Sequence, residues 1–525
     1  MNGLGPLLRA ALRRDRWMLL CWLVGLVLLF WATAYSLPVT YTSQEALDRA
    51  AAALQGNPAY IALSGPTRAL DTIGGQVAWQ AQVFGAVVIG LMAMFLVVRH
   101  TRQEEESGRD EVLRSTPVGR LAPALAGIVI SLGACLLSGL LVAASLVSTG
   151  LAVADSVAMG LGLSAVGWVF TASAWIAAQL GSTSRTAYGM AGAFIGIAYG
   201  LRAVGDVAEG GALGVLRWLS PIGWYSQLQA FSGLRWWPLG LSVVAAGVTL
   251  GLAGWLVGRR DYGSGLRADR PGPASGSLAS GLALAVRLQR GPVIGWSIGM
   301  LVGGLTYGAI GDGVGDLIGD SETVNEIFVQ GAQSIIDGFY GMALVMLALI
   351  SSAFAITSAE RPRREEEDGR ADLLLATGLS RGRWLAGYVG VTVVGTTIVL
   401  ACAGTGLGLG YGFATGDGAY GLRLAFGMMQ YVPSVLVLSS VARLLHGVWP
   451  SRMVLGWLPM VFAFVVLFFG ELFRMPQWLR DVSPFTHAAL VPAEPFRAAP
   501  VLGVALAAVL LSVAGQFAFR RRDIG

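Results

Sequence analysis

Long apolar runs, each interrupted by a short polar interval, recur along the whole chain. About twelve of them reach the roughly 20 residues that a helix needs to cross a hydrocarbon layer of roughly 30 Å. In the first half they fall near 17–36, 79–98, 122–150, 157–180, 186–202 and 239–258. In the second they fall near 291–310, 338–358, 384–411, 420–443, 452–470 and 500–519. The strict alternation of a barrel strand is missing. In lipid each backbone polar group must be paired within its own segment, so the runs predict helices. The pattern predicts an all-α polytopic membrane protein.

The polar intervals are unequal. Arginines gather before the first run (Arg9, Arg13, Arg14, Arg16), after the second (Arg99, Arg102, Arg109, Arg114, Arg120), in mid-chain (Arg259, Arg260, Arg267, Arg270, Arg287, Arg290), after the eighth (Arg361, Arg363, Arg364, Arg370, Arg381, Arg383) and at the end (Arg520, Arg521, Arg522). With twelve spans all of these lie on one side, which the positive-inside rule makes the cytoplasm, with both termini there. The opposite interval after the seventh run holds Asp312, Asp316, Asp320, Glu322 and Glu326 and no arginine. A competing reading takes the first run, which ends in Ala32-Thr33-Ala34, as a cleavable secretion signal, but the run is long for one.

Composition narrows the chemistry. The chain has 525 residues, 55% hydrophobic and 13% charged. No lysine occurs, so a Walker A loop, which needs one to reach nucleotide phosphates, is excluded. Cys21, Cys135 and Cys402 lie in apolar runs, and His100, His446 and His487 are scattered, so no metal or nucleophile–base spacing appears. Nothing implies a nucleic-acid partner, a metal, or a cofactor held by this chain.

The two halves repeat. EEESGRDEVLRSTPVGR at 104–120 returns without a gap as EEEDGRADLLLATGLSR at 365–381. Glu104, Glu105, Glu106, Arg109, Leu113 and Thr116 thus fall on Glu365, Glu366, Glu367, Arg370, Leu374 and Thr377. Arg259-Arg260-Asp261 matches Arg521-Arg522-Asp523, Ser220-Pro221 matches Ser483-Pro484, and Trp22 and Gly25 match Trp296 and Gly299. The expected organisation is two parallel six-helix repeats. The first half is 1–262, with an interfacial helix over 3–16 and a charged loop over 99–121. A Gly/Ser/Pro-rich connector covers 263–280. The second half is 281–525, with an interfacial helix over 276–290 and a charged loop over 360–383.

Three readings of the repeated loop stand side by side. It is a solvated loop that obeys the charge rule; or a brace, with Glu105–Arg109 and Glu366–Arg370 paired at i,i+4; or a docking surface for two equal partners. The acidic EEE-S/D-GR and the L-x-x-T after it, set between second and third spans in both halves of a twelve-span chain, resemble the permease subunit of ABC-2-type exporters. The form it resembles is the fused double-length one grouped with actinobacterial polyketide-antibiotic and multidrug exporters. The resemblance implies a type V exporter architecture in the bacterial cytoplasmic membrane. It also implies coupling helices in both loops, a homodimer of a separate ABC ATPase that binds ATP and Mg2+, and outward movement of amphiphilic cargo along a central route. In that reading Glu104, Glu105, Glu106, Arg109, Glu365, Glu366, Glu367 and Arg370 hold the ATPase joint, Leu113 and Leu374 pack it, and Thr116 and Thr377 complete the motif. The second, fifth, eighth and eleventh spans would line the route.

Polar groups at the starts of the second and eighth spans are route candidates: Gln76, Trp79, Gln80 and Gln82 in the first half, Gln330, Gln333, Asp337 and Tyr340 in the second. Helix–helix hydrogen bonds and interfacial anchoring explain them equally. Trp218, Trp224, Trp236, Trp237 and Trp478 form either an interfacial belt or, by the resemblance, part of short re-entrant helices. Two rivals remain. One is a proton-coupled secondary transporter of six plus six spans, whose usual Gly-x-x-x-Asp-Arg-x-Gly-Arg-Arg loop is not seen. The other is an exporter of the same class that moves lipid.

Overall fold

The computed structural model describes residues 3–55, 58–109, 119, 121–259, 265–266, 280–310, 335–469 and 475–522. They form an all-α polytopic membrane protein that divides into two compact units, Met1–Gly272 and Pro273–Gly525. Among the described residues, eleven helices are long and apolar enough to cross a membrane.

In the first unit α1 (Leu4–Thr40) leads to two short helices, α2 (Gln44–Leu54) and α3 (Pro58–Ser64), then α4 (Ile73–His100) and the short α5 (Arg102–Glu106). Next come α6 (Ala122–Ser148), α7 (Val153–Leu180) and α8 (Ser184–Val207). A 3-10 turn (Ala212–Leu219), α9 (Pro221–Ser226) and α10 (Trp237–Val257) close the unit. The centre is α7, which packs against α4, α6, α8 and α10, while α1 lies on α4 and α6. Leu26, Phe30, Ile89, Met92, Leu163, Val166 and Phe170 form the fully enclosed middle.

The second unit runs α11 (Gly281–Gly308), α12 (Ile335–Ala359), α13 (Arg361–Glu367), α14 (Arg370–Leu375), α15 (Arg381–Thr415) and α16 (Gly418–Gly427). Then follow a 3-10 turn (Met428–Tyr431), α17 (Val432–Val448), a second 3-10 turn (Pro450–Trp457), α18 (Leu458–Phe469), α19 (Gln477–Arg480) and α20 (Ala498–Arg521). Here α11 lies on α15 and α12, and α12 on α17, so the pairing of first, second, third and fourth spans recurs.

Several expectations need amending. Residues 4–40 form one unbroken helix, with no joint between the stretch read as interfacial (3–16) and the first span. Ala32-Thr33-Ala34, read as a cleavage mimic, lies within it, and Ala34 is buried in the unit. The second interfacial stretch is likewise continuous with its span from Gly281 onward, while 276–279 lie outside the described residues. Most of the connector 263–280 also lies outside them. The tenth span, Gly418–Val448, tightens in its middle: a 3-10 turn over Met428–Tyr431 joins α16 to α17, with Pro433 in the first turn of α17, where an N–H needs no intrahelical partner. The segments α2 and α3 carried too few apolar residues to stand out as spans.

The seventh span, α11, is absent from the eleven because seven glycines dilute its hydropathy. Two of these face α15 at backbone contact. A Cβ on Gly304 would lie 2.3 Å from Ala403 O, and one on Gly308 would lie 2.1 Å from Leu407 O. Small residues at such a crossing replace apolar bulk with close van der Waals packing. Gly304→Val should therefore push α11 off α15 and destabilise the second unit by about 1–3 kcal/mol, the usual range for overpacking. Gly299→Val on the same helix, where a Cβ meets nothing within 4 Å, should leave stability unchanged. Thermal unfolding of the purified protein checks both, and equal melting of the two variants would refute the contact.

Candidate functional site

The repeated loop begins where α4 and α12 end. In both copies a short acidic helix is stopped by a glycine in left-handed backbone, Gly108 (φ 72°) and Gly369 (φ 69°). The caps are superimposable in register. Ser107 N–H donates to Gln103 O and Gly108 N–H to Glu105 O; Asp368 N–H donates to Arg364 O and Gly369 N–H to Glu366 O. A Cβ on either glycine would meet nothing within 4 Å, so the requirement is conformational: a side chain there costs about 1–2 kcal/mol. This explains the fixed Gly-Arg after the acids. The glycine makes an elbow, and in the second unit the arginine opens the next helix.

In the first unit the glutamates turn inward. Glu104 accepts from Arg14 at 2.5 Å, and Arg14 also donates to His100 Nδ1 at 3.2 Å. That leaves His100 Nε2 as the protonated nitrogen, 2.5 Å from Asp15. Asp15, fully buried, also meets Arg99 at 3.0 Å. Glu105 accepts from Arg102 at 2.9 Å. Arg102 is itself 1% exposed and donates to Ala178 O through Nε and Nη2. Ala178 O is one of the carbonyls that the end of α7 leaves open. Glu106 accepts from Ser184 N–H (2.7 Å) and Oγ–H (2.5 Å), and so caps α8. Three consecutive acids thus tie the extension of α4 to α1, α7 and α8.

The second unit keeps the elbow and changes the bonds. Glu365 is buried between Arg361 (2.8 Å) and Arg370 Nε (2.7 Å). Glu366, 4% exposed, accepts from His446 Nε2 (2.8 Å) at the end of α17 and from Arg522 (2.5 Å) just past α20. Arg522 also donates to His446 O. Glu367 is half in solvent and pairs with Arg363. Glu360 accepts from Trp457 Nε1 ahead of α18. The position of Asp15 is taken by neutral Gln289, which with Thr392 is bonded to Ser358, while the position of His100 is taken by Arg361.

The i,i+4 expectation thus fails for Arg370, which reaches Glu365 rather than Glu366, because the left-handed Gly369 breaks the helix between them. Arg109 is exposed. Leu113 and Thr116 lie outside the described residues. Leu374 packs inward against the cluster around Trp384, and Thr377 donates to Leu374 O. It is Leu373 that is 73% exposed. Three leucines in succession on one short helix cannot all face inward, and that was the overlooked signal.

At the other end of the first unit the route candidates meet backbone. Gln76, fully buried, donates to Leu70 O, Gln80 to Gln76, Trp79 to Gly65 O and Gln82 to Tyr225 O. In the second unit Tyr420 donates to Asp337 at 2.5 Å, and buried Tyr340 donates to Gly308 O while packing edge-on to Tyr411 and Tyr420. Gln330 and Gln333 lie outside the described residues. These groups hold outer segments to helices. Arg202 does the same on α8: it is buried, donates to Ile61 O and Leu63 O, lies over the Tyr199 ring and faces Asp206. An arginine four residues before an aspartate at the end of an apolar run was its signal in the sequence.

Beyond this shell, burial pulls the Arg68 guanidinium below its ordinary range against the opposing charge of Glu209. Burial raises Glu209, but bonds and charges from Arg217 and Arg68 outweigh it and hold the carboxyl low. An open apolar groove of about 530 Å³ lies between α15 and α16, walled by Thr405, Leu409, Phe413, Leu422, Phe426 and Met429, several of them largely exposed.

Residues 278–520 match the family described as "Multidrug efflux system permease Rv1217c, C-terminal domain". Over 530 aligned residues the chain is 37% identical to the multidrug efflux system permease protein Rv1217c of Mycobacterium tuberculosis, covering 100% of this chain and 95% of that relative. With both units matched at that identity, and the duplicated charged elbow within the aligned length, the chain belongs to the Rv1217c family of multidrug efflux system permeases.

Proposed function

We propose that this chain is the membrane-spanning subunit of an ATP-driven exporter of amphiphilic, drug-like molecules. A separate ABC ATPase, acting as a homodimer with its own ATP and Mg2+, would press on the two elbows. The arginine-rich end would face the cytoplasm of a bacterial inner membrane, with both termini there. The observation that carries the reading is the bracing of the elbows. Each is a short projecting helix whose acids are bonded to the ends of other spans in its own unit, so a push on it moves several spans together.

The bonding shifts the roles expected of the acids. Glu105, Glu106 and Glu366 pass movement on, through Arg102 to α7, directly to α8, and through His446 and Arg522 to α17 and α20. The grip on the partner falls to exposed groups: Arg109, Glu367, Arg370 and Leu373. Charge-assisted bonds suit the first task, being short and roughly twice as strong as neutral ones. A protruding leucine suits the second, since it gains by leaving water. The open apolar groove of about 530 Å³ is wide enough to take a drug-sized body and supports a cargo with a substantial apolar part. The relative's name supports drugs over lipids.

Reconstituted with its ATPase in liposomes, the chain should extrude amphiphilic dyes only when ATP is supplied. Movement driven by an ion gradient with no ATPase present would overturn the reading. Glu366→Gln should leave the ATPase co-purifying while cargo-stimulated ATP turnover falls about tenfold, equivalent to about 1.4 kcal/mol of lost coupling. Leu373→Asp should do the reverse, reducing co-purification first. If Glu366→Gln abolished co-purification and left turnover per bound ATPase untouched, the acids would be grips rather than braces.

A further inference from the structure

Among the described residues, three that are not glycine adopt left-handed backbone: Ala69 (φ 49°), Gln229 (φ 51°) and Phe231 (φ 64°). All three stand at one place in the first unit, where the segment before α4 meets the segment after α9. Such backbone is unfavourable for residues with a Cβ and persists only where the surroundings enforce it. Here they do. Phe231 N–H donates to Asp155 at 2.8 Å, Arg235 N–H to Leu228 O at 2.8 Å, and the Thr72 hydroxyl to Ala69 O at 2.8 Å. Strain of this kind gathers where a chain must present particular groups.

What it presents is a small polar cleft at the start of α4, lined by Ser64, Arg68, Trp79, Gln82, Ser226 and Gln229. Its free volume is about 30 Å³, room for one small group and not for a whole drug. Arg68 is the charge in it. A guanidinium has five N–H donors, and its bonds to Ser226 O and Glu209 are both 3.4 Å, at the outer limit for a hydrogen bond. Glu209 is drawn instead to Arg217 at 2.8 Å. A partly buried cation with most of its donors unspent, beside serine and glutamine side chains, is complementary to an oxyanion. In the second unit Ser483-Pro484 repeats Ser220-Pro221, yet no described non-glycine residue there is left-handed.

We propose that this cleft binds the anionic head, carboxylate or phosphate, of an amphiphile whose apolar body stays in the surrounding bilayer. The head could belong to an anionic membrane lipid or to an anionic cargo. The cargo alternative rests on the export reading, whereas the binding itself does not, and it is measured without any ATPase.

The test uses the purified full chain in dodecyl maltoside micelles. Native mass spectrometry compares retention of phosphatidylglycerol with phosphatidylcholine, and dodecanoate with dodecanol. The anionic member of each pair should bind at least tenfold more tightly, Arg68→Gln should erase that preference, and Arg68→Lys should keep part of it. Dodecanoate that displaces phosphatidylglycerol assigns the cleft to anionic heads in general, whereas phosphatidylglycerol retained against dodecanoate assigns it to lipid. Should Arg68→Gln fail to fold, Gln229→Gly, which relieves the strained backbone and removes a lining amide, should weaken anionic binding several-fold. Equal retention of anionic and neutral probes by the unmodified chain, or a preference unaltered in Arg68→Gln and Gln229→Gly, overturns the proposal. ATP-driven export that persists after such a result would leave the function standing and remove only this site.

Discussion

A carboxylate withdrawn from water must be given donors, and this requirement sets how the arginine-rich end of each unit is assembled. The side chains of Glu104, Glu105, Glu365 and Glu366 are all at most 16% exposed. Burying such a charge without partners costs several kcal/mol, and taking one partner from a buried pair costs about 3–5 kcal/mol. For Glu104 and Glu366 the donors stand on other helices or on segments beside their ends: Arg14 on α1, His446 on α17, Arg522 beyond α20. Helix ends that lipid and apolar packing would leave free to slide are therefore held in fixed relation.

The two copies show which part of this device tolerates change. The elbow is the same to the hydrogen bond, because a left-handed turn has few solutions and glycine is the simplest. The acids around it are re-partnered. The middle glutamate is held by an arginine that reaches a backbone carbonyl in one unit and by a histidine and a terminal arginine in the other. Where the first unit has Asp15, bonded to His100, the second has neutral Gln289, which accepts from Ser358. Charge and partner thus differ together between the copies. A repeat can thus keep its mechanics while its local chemistry drifts.

Much of this was legible beforehand. The apolar runs located the spans, since lipid allows almost no other structure, but not how far the first and seventh helices extend before them, to Leu4 and Gly281. The repeated EEE-x-GR marked the elbows. The partners were not legible, because Arg14, Ser184, His446 and Arg522 lie 90, 78, 80 and 156 positions from the glutamates they meet. Nor did helical spacing yield the Arg370 pair, since a pattern of 3.6 residues per turn assumes that the helix continues through Gly369. The amide roles of Gln76 and Gln82 were hidden for a different reason. Their partners are backbone carbonyls, Leu70 O and Tyr225 O, which leave no trace in residue type.

The helix α4 joins these themes. At one end it continues into the acidic elbow. At the other, Gln76 and Trp79 donate to carbonyls of the irregular segment before α4, and Gln82 donates to Tyr225 O in α9. Between these anchors it runs 28 residues, roughly 42 Å at 1.5 Å per residue, and most of it is enclosed by α1, α6, α7 and α8. A helix fixed at both ends and packed along its length carries axial displacement without bending, because bending would break satisfied hydrogen bonds at either terminus. Movement of the elbow would therefore arrive at the strained segments around Arg68. Left-handed backbone at Ala69, Gln229 and Phe231 costs on the order of 1–3 kcal/mol each and persists because neighbouring bonds enforce it. The two ends of α4 are therefore built from opposite materials, satisfied charge at one and enforced strain at the other.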